Sequence, residues 1–117
     1  AWADPKACYV WGLVYHANGS ERYQDVGLVK VDMCVEGEDE ATVTVYQRNN
    51  QFTGEPVFVK NPEGTQEDDG TLLVVSRDAD SDETALLAID ARTLEVVARM
   101  VAPFTTPFEF HGGFFPN

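Results

Sequence analysis

Histidine is scarce in this chain: two occur in 117 residues, His16 and His111. One domain of that size with two histidines cannot build a complete histidine-based metal site, because such a site needs several ligands. Cysteine is as scarce. Cys8 and Cys34 form no Cys-x-x-Cys spacing, which excludes a zinc knuckle and a dithiol redox motif. The expectation for them is a pair of reduced, partly buried thiols, with a disulfide left open. Basic residues number 8 against 20 acids, a net charge of −12. That surface repels phosphate backbones and anionic bilayers, so no nucleic-acid partner is expected. No apolar run approaches the ~20 residues of a membrane helix. No initiating Met and no secretory apolar segment are present, so the chain is expected to be cut from something longer.

Other absences narrow the chemistry. There is no Gly-x-Ser-x-Gly, no phosphate-binding loop and no dinucleotide fingerprint, and Ser20, Ser76 and Ser81 lack a base partner in pattern. The acidic run "DADSDE" (78–83) fails the calcium-loop pattern, with Glu83 at the sixth place and Ile89 at the twelfth. The runs "EGEDE", "QEDD" and "DADSDE" read as solvated turns. "NGS" at Asn18 is a formal glycosylation sequon, but Asn-Gly is first a hairpin signal.

What the chain does have is short apolar, β-branched segments between turn signals. They lie at 8–15, 26–33, 41–47, 55–60, 71–78, 84–91, 94–101 and 108–115. "DARTLE" fits a tight turn over Ala91–Thr93 between two strands. In "EDDG" (67–70) the acids occupy a turn and Gly70 is expected to supply a positive φ. The expected fold class is all-β, an antiparallel meander compatible with a sandwich, a barrel or propeller blades. The strands beginning at 55, 71, 84 and 94 make one four-stranded unit, and the chain starts again near 108. Glu55 and His111 are then equivalent in successive units, 56 residues apart (111 − 55). In a propeller both would face the central axis.

His111 taken alone reads as a packed histidine. Gly112 and Gly113 after it permit close backbone approach, and Phe110, Phe114 and Phe115 are expected to wall it off from water. Glu55, before a strand-initial proline, reads as a strand-end acid or as the carboxylate partner of a ligand histidine. His16, beside a turn, reads as structural or exposed.

The ordered motifs "GEPVFVKNPEGTQEDDG", "LLAIDARTLEVVARM" and "PFEFHGGFFP" carry a further signal. Together they closely resemble the C-terminal portion of the carotenoid cleavage oxygenase family (retinal pigment epithelial membrane protein-like). "YVWGLVYHANG" and "VGLVKVDM" also look like the family's preceding segment, so the resemblance covers nearly the whole chain. The resemblance implies a seven-bladed β-propeller, incomplete in this chain: residues 1–117 would be its C-terminal blades, one blade at about 55–102 and the start of the closing blade at about 107–117. It implies an axial Fe(2+) held by four histidines, three of them backed by carboxylates. His111 matches the last iron ligand and Glu55 a carboxylate behind a ligand, whereas His16 matches none. Two departures are Glu109, where the family often has Gly, and Lys60, where it often has Pro.

The implied activity is that of a non-haem Fe(II)-dependent carotenoid or apocarotenoid dioxygenase, cleaving a conjugated C=C bond with O2 to carbonyl products. Its partners would be an apolar polyene and O2, with any peripheral membrane contact made by regions absent from this chain. Relatives that cleave stilbenes or isomerise retinyl esters are alternatives within the family, and a non-catalytic β-sheet interaction module or inactive relative is the alternative outside enzymes. The fragment by itself is expected to be inactive. The expected compartment is cytoplasm or plastid.

Overall fold

The computed structural model describes residues 7–15, 25–35, 41–107 and 112–117. Among these residues every regular element is a strand. They are β1 (Tyr9–Val14), β2 (Gly27–Asp32), β3 (Thr42–Tyr46), β4 (Gln51–Thr53), β5 (Val57–Lys60), β6 (Gly70–Asp78), β7 (Thr84–Asp90) and β8 (Val96–Val101). The strand-rich composition of these segments, Val, Thr, Ile and Tyr, suits a pleated and half-buried surface.

Two antiparallel sheets result. β1, β2 and β3 form a three-stranded meander, and the second sheet runs β4-β6-β7-β8, with β5 also on β6. β4 and β5 are two halves of one interrupted edge strand. Thr53 pairs with Ser76 and Val57 with Leu73, so Gly54, Glu55 and Pro56 stand opposite only Val74 and Val75. The extra residue makes a bulge, which bends the strand and re-aims a side chain. Pro56 has no N–H to give to the ladder, which is why pairing lapses there. Gly54 N still donates to Val75 O at 2.8 Å, fixing the start of the bulge.

The core lies between the sheets. Leu72 and Val74 of β6, Ala85, Leu87 and Ile89 of β7, and Ala91 and Leu94 of the next turn bury against Leu28 of β2. Trp11, Leu13, Tyr46, Phe58 and Val96 close its margins. Burying a Leu or Ile contributes about 1.5–3 kcal/mol, so this cluster holds the sheets together. Trp11 stacks on Phe58 with centroids 4.9 Å apart, and its Nε1 donates to Ala91 O at 2.9 Å. The β7–β8 connection turns over Ala91–Thr93 as its sequence indicates: Asp90 Oδ1 accepts from Arg92 N at 2.8 Å, and Asp90 N donates to Glu95 O at 2.8 Å.

Four expectations are corrected. Cys8 and Cys34 are joined in a disulfide, with Cα atoms 5.0 Å apart, rather than reduced. The β1–β2 register, Tyr9 opposite Asp32, brings them together, and Met33 N donates to Cys8 O at 2.8 Å beside the bridge. Gly70 does not supply a positive φ. A Cβ there would meet Val59 O at 2.5 Å and the Phe58 ring at 2.6 Å, so glycine is needed for close packing. The acids of "EDDG" are not simply solvated. Glu67 accepts from Cys8 N at 2.9 Å and Tyr9 N at 3.0 Å, and Asp68 pairs with Lys30. Finally, residues 112–115 are not a strand; the remainder of that expected strand, 108–111, lies outside the described residues. The Asn18 turn and His16 lie outside them too.

Candidate functional site

Glu55 sits on the bulge between β4 and β5, exposed, while Thr53 and Gly54 just before it are buried. A carboxylate on a bulge projects out of the ladder plane of its strand while the backbone on both sides stays anchored to β6. His111, the other residue singled out from the sequence, lies outside the described residues. The chain on either side of it is described.

After β8 ends at Val101, the chain turns back across the sheet. Ala102 N donates to Thr84 O at 2.8 Å, extending the β7–β8 ladder by one bond. Thr105 Oγ1 donates to Asp82 O at 3.0 Å, and Thr106 N donates to Thr84 Oγ1 at 3.0 Å. Thr106 and Pro107 then border a small cavity with Phe52, Gly54, Val75, Ser76 and Arg77. The strap thus starts at the outermost strand, β8, crosses β7 and β6, and arrives at the bulge on the opposite edge. Three strand spacings make that crossing about 14 Å. Beyond the undescribed stretch, Gly112 lies against β5: a Cβ on it would be 3.9 Å from Val57 Cγ2. Pro107 and Gly112, the described neighbours of residues 108–111, therefore both adjoin the segment that carries Glu55.

The strap runs over the face of the second sheet that points away from the first. Ala85, Leu87 and Ile89 bury toward the core, so Thr84 and Leu86, alternating with them, face the strap. With Val75, Met100, Val101 and Phe104 they line an apolar groove of about 420 Å³. Leu86, Met100 and Phe104 remain exposed there, Met100 at 67%. The expected dry wall of phenylalanines is not formed by the described residues. Phe114 is 48% and Phe115 89% exposed, because no described element packs over that end of the chain; Phe110 lies outside the described residues.

Electrostatics near the strap are set by the β6–β7 turn. Asp78 accepts backbone N–H bonds from Asp80 at 2.8 Å and Ser81 at 2.9 Å. The bonds from Ser81 and then Asp80 hold its carboxyl below the ordinary value of 3.8. Arg77 pairs with Asp82, and Arg99 of β8 with Glu83. These bonds consume the acids of "DADSDE" in shaping the turn. Among the described residues no group of three or more His, Cys, Asp or Glu side chains gathers to hold a metal ion. Glu55 is exposed, and the backbone before it is held to β6 through Gly54 N.

Two antiparallel sheets, a bulged edge strand bearing a carboxylate and a strap that returns to it place the chain among all-β proteins built from consecutive meanders. Residues 3–116 match the family model described as retinal pigment epithelial membrane protein, and the chain belongs to that family. It is 34% identical over 90 residues to a mitochondrial carotenoid-cleaving dioxygenase of Macaca fascicularis, covering 76% of this chain and 15% of that protein. It is 36% identical over 94 residues to the chromoplastic zeaxanthin 7,8(7',8')-cleavage dioxygenase of Crocus sativus, covering 75% of this chain and 26% of that one. A carotenoid cleavage oxygenase of Mycobacterium tuberculosis is 44% identical over 64 residues, 55% of this chain and 13% of the relative. Among solved structures, an ACO/RPE65 chimera superposes with a TM-score of 0.78 at 25% identity, over 95% of this chain and 22% of its own. Cobalt-substituted Synechocystis ACO gives 0.73 at 27% identity, over 90% and 21%. The chain thus spans between 13% and 26% of the length of these curated relatives.

Proposed function

We propose that this chain is the C-terminal part of a non-haem Fe(II)-dependent carotenoid or apocarotenoid dioxygenase. In this reading His111 gives one imidazole ligand to Fe(2+), and Glu55 accepts the other N–H of a ligand imidazole. That bond fixes the tautomer and ring orientation and raises ligand basicity. Bound ferrous iron would supply the capacity to bind and activate O2. The observation that carries the reading is the bracketing of residues 108–111: Pro107 shares a cavity with Gly54, and Gly112 lies against Val57. The described residues on either side of that stretch, Pro107 and Gly112, thus both adjoin the segment that carries Glu55.

The sheet also supports a β-propeller. The second sheet is apolar on both faces, with Leu72, Val74 and Leu87 toward the first sheet and Leu86 and Met100 on the other. A four-stranded sheet that buries one face and offers a second apolar face suits a blade stacked between two others. The blade would run from the β4–β5 edge strand to β8, close to the expected 55–102, and residues 107–117 would begin the closing blade. An apolar polyene and O2 are the substrates proposed, drawn from what the relatives are named for. Relatives carry mitochondrial and chromoplastic names, and a plastid or cytoplasmic compartment is proposed for this protein.

The test uses the full-length protein loaded anaerobically with ferrous iron. His111→Ala is expected to lose iron and cleavage of an apocarotenoid, and Glu55→Gln to weaken iron binding or activity by about 10–100-fold. Parent protein that takes up no iron, with cleavage indifferent to His111→Ala, would leave the non-catalytic sheet module as the reading.

A further inference from the structure

We propose, independently of any metal, that the Cys8–Cys34 bridge is a redox-sensitive clasp opened by a protein dithiol that attacks Cys34, and that its state sets how firmly Glu67 ties β1 to the β5–β6 hairpin. The two cysteines are unequally accessible: Cys34 is exposed and Cys8 half-buried. Thiol–disulfide exchange depends on which sulfur a thiolate can reach, and exposed bridges are the labile ones. Neither cysteine belongs to the core cluster of Leu28, Leu72, Leu87 and Ile89. Opening the bridge therefore leaves in place the packing that joins the sheets.

The bridge stands at one end of the β1–β2 ladder, just beyond the Tyr9–Asp32 pair. Its two ends are held differently. Cys34 N donates to Asp32 Oδ1 at 2.9 Å, a local bond that does not depend on the bridge. Cys8 N instead donates to both carboxylate oxygens of Glu67, at 2.9 and 3.0 Å, and Tyr9 N donates to Oε1 at 3.0 Å. Those bonds span 59 and 58 positions and reach from β1 to the other sheet. The covalent link to Cys34 keeps Cys8 at the end of the ladder, and so keeps both amides in front of Glu67. Without that link the end of a strand frays by local opening, and exposed backbone bonds are the first to go. The Lys30–Asp68 pair beside Glu67 is sequestered and stays to hold the base of the hairpin. Reduction thus loosens one seam between the sheets without dissolving the fold.

The exchange balances. A thiolate of the dithiol attacks Cys34 Sγ, the bond between the sulfurs breaks, and Cys8 leaves as a thiolate that takes a proton from water. The reductant's second thiol, as its thiolate, attacks the mixed disulfide. That step forms the reductant's own disulfide and releases Cys34, which is protonated in turn. The bridge gains two electrons and the dithiol loses them.

The test treats the full-length protein with a protein dithiol oxidoreductase under native conditions, followed by alkylation. Cys8 and Cys34 are expected to be labelled without denaturant, with near-ultraviolet circular dichroism retained. A form of the reductant lacking its second cysteine is expected to be trapped on Cys34. In hydrogen exchange of the reduced protein, the Cys8 and Tyr9 amides and peptides across 61–69 are expected to exchange about tenfold faster than with the bridge closed. Glu67→Ala removes the acceptor on an exposed hairpin. It is expected to show the faster exchange across 61–69 already with the bridge closed, and reduction is expected to add little there.

A bridge that the dithiol opens only in denaturant overturns the proposal, as does trapping on Cys8, or loss of the near-ultraviolet signal on reduction. Exchange at Cys8, Tyr9 and 61–69 that is unchanged by reduction overturns it too. If reduction of the Glu67→Ala protein speeds exchange across 61–69 as much as in the parent, the bridge acts on the hairpin without Glu67 and the clasp is wrong.

Discussion

Lys30 Nζ lies 2.7 Å from Asp68 Oδ2, joining the middle strand of the first sheet to the β5–β6 hairpin of the second. The ammonium also donates to Arg92 O at 3.2 Å and sits 4.3 Å from the centroid of the Tyr9 ring. Both partners are largely sequestered, their side chains 9% and 13% exposed. An ion pair in that setting behaves differently from a surface pair, because either charge left alone is costly.

Asp68→Ala should therefore destabilise the protein by about 3–5 kcal/mol, since Lys30 is left buried without its counter-charge. Lys30→Met combined with Asp68→Leu should recover much of that loss. Urea denaturation of the two variants checks this. Equal stability of Asp68→Ala and the parent would show that the pair does not join the sheets.

Reduction of Cys8–Cys34, which lie 26 positions apart, should lower stability by about 3–4 kcal/mol on the loop-entropy scale. The intact protein should be 2 Da lighter by mass spectrometry than its reduced form, on the chemistry of one disulfide. Cys8→Ser should reproduce the destabilisation and be insensitive to dithiothreitol. A parent whose denaturation midpoint is unmoved by reductant would contradict the bridge.

Asp78 makes the β6–β7 turn acid-sensitive. Its folded carboxyl titrates below the ordinary 3.8 because Ser81 and Asp80 amides bond the ionised form. The folded state thus binds fewer protons than the unfolded chain as pH falls past 3.8. Its contribution is complete above that value and is lost as pH drops through the lowered folded value. Asp78→Asn should flatten this part of the acid-denaturation curve and leave stability near neutral pH only modestly changed. An unchanged acid limb in Asp78→Asn would remove Asp78 as a cause.

The 117-residue chain by itself should not retain ferrous iron tightly or cleave a polyene, since its two histidines cannot furnish several imidazole ligands. Exposed apolar residues such as Val97 and Met100 on the edge strand β8 should also promote association. Iron analysis after gel filtration tests both points. A monomer carrying stoichiometric iron would contradict them.

Much of the strand layout was legible because hairpin chemistry is local. Asp90 closes its own turn through Arg92 N, so "DARTLE" announces the β7–β8 reversal without help from elsewhere. The interrupted edge strand was only half legible. The run from Val57 reads as a strand in the sequence, whereas β4 at Gln51–Thr53 does not, because "QFT" is too short for any alternation to register. Glu55 stands out in the sequence beside a proline, but its seat on a bulge follows from the unequal spacing of its neighbours against β6, which is a property of two strands.

The sequence alone determined an all-β chain, its principal hairpins and its family resemblance. These follow from turn residues, β-branched runs and ordered motifs, all encoded within short windows. Only the tertiary structure decided that Cys8 meets Cys34, that Glu67 and Asp68 fasten a hairpin to the other sheet, and that Thr84 anchors the strap. Those partners are 26, 59 or 58, 38 and 22 or fewer residues apart. Each contact exists because two sheets pack around one core, and packing brings together positions whose spacing along the chain has no period.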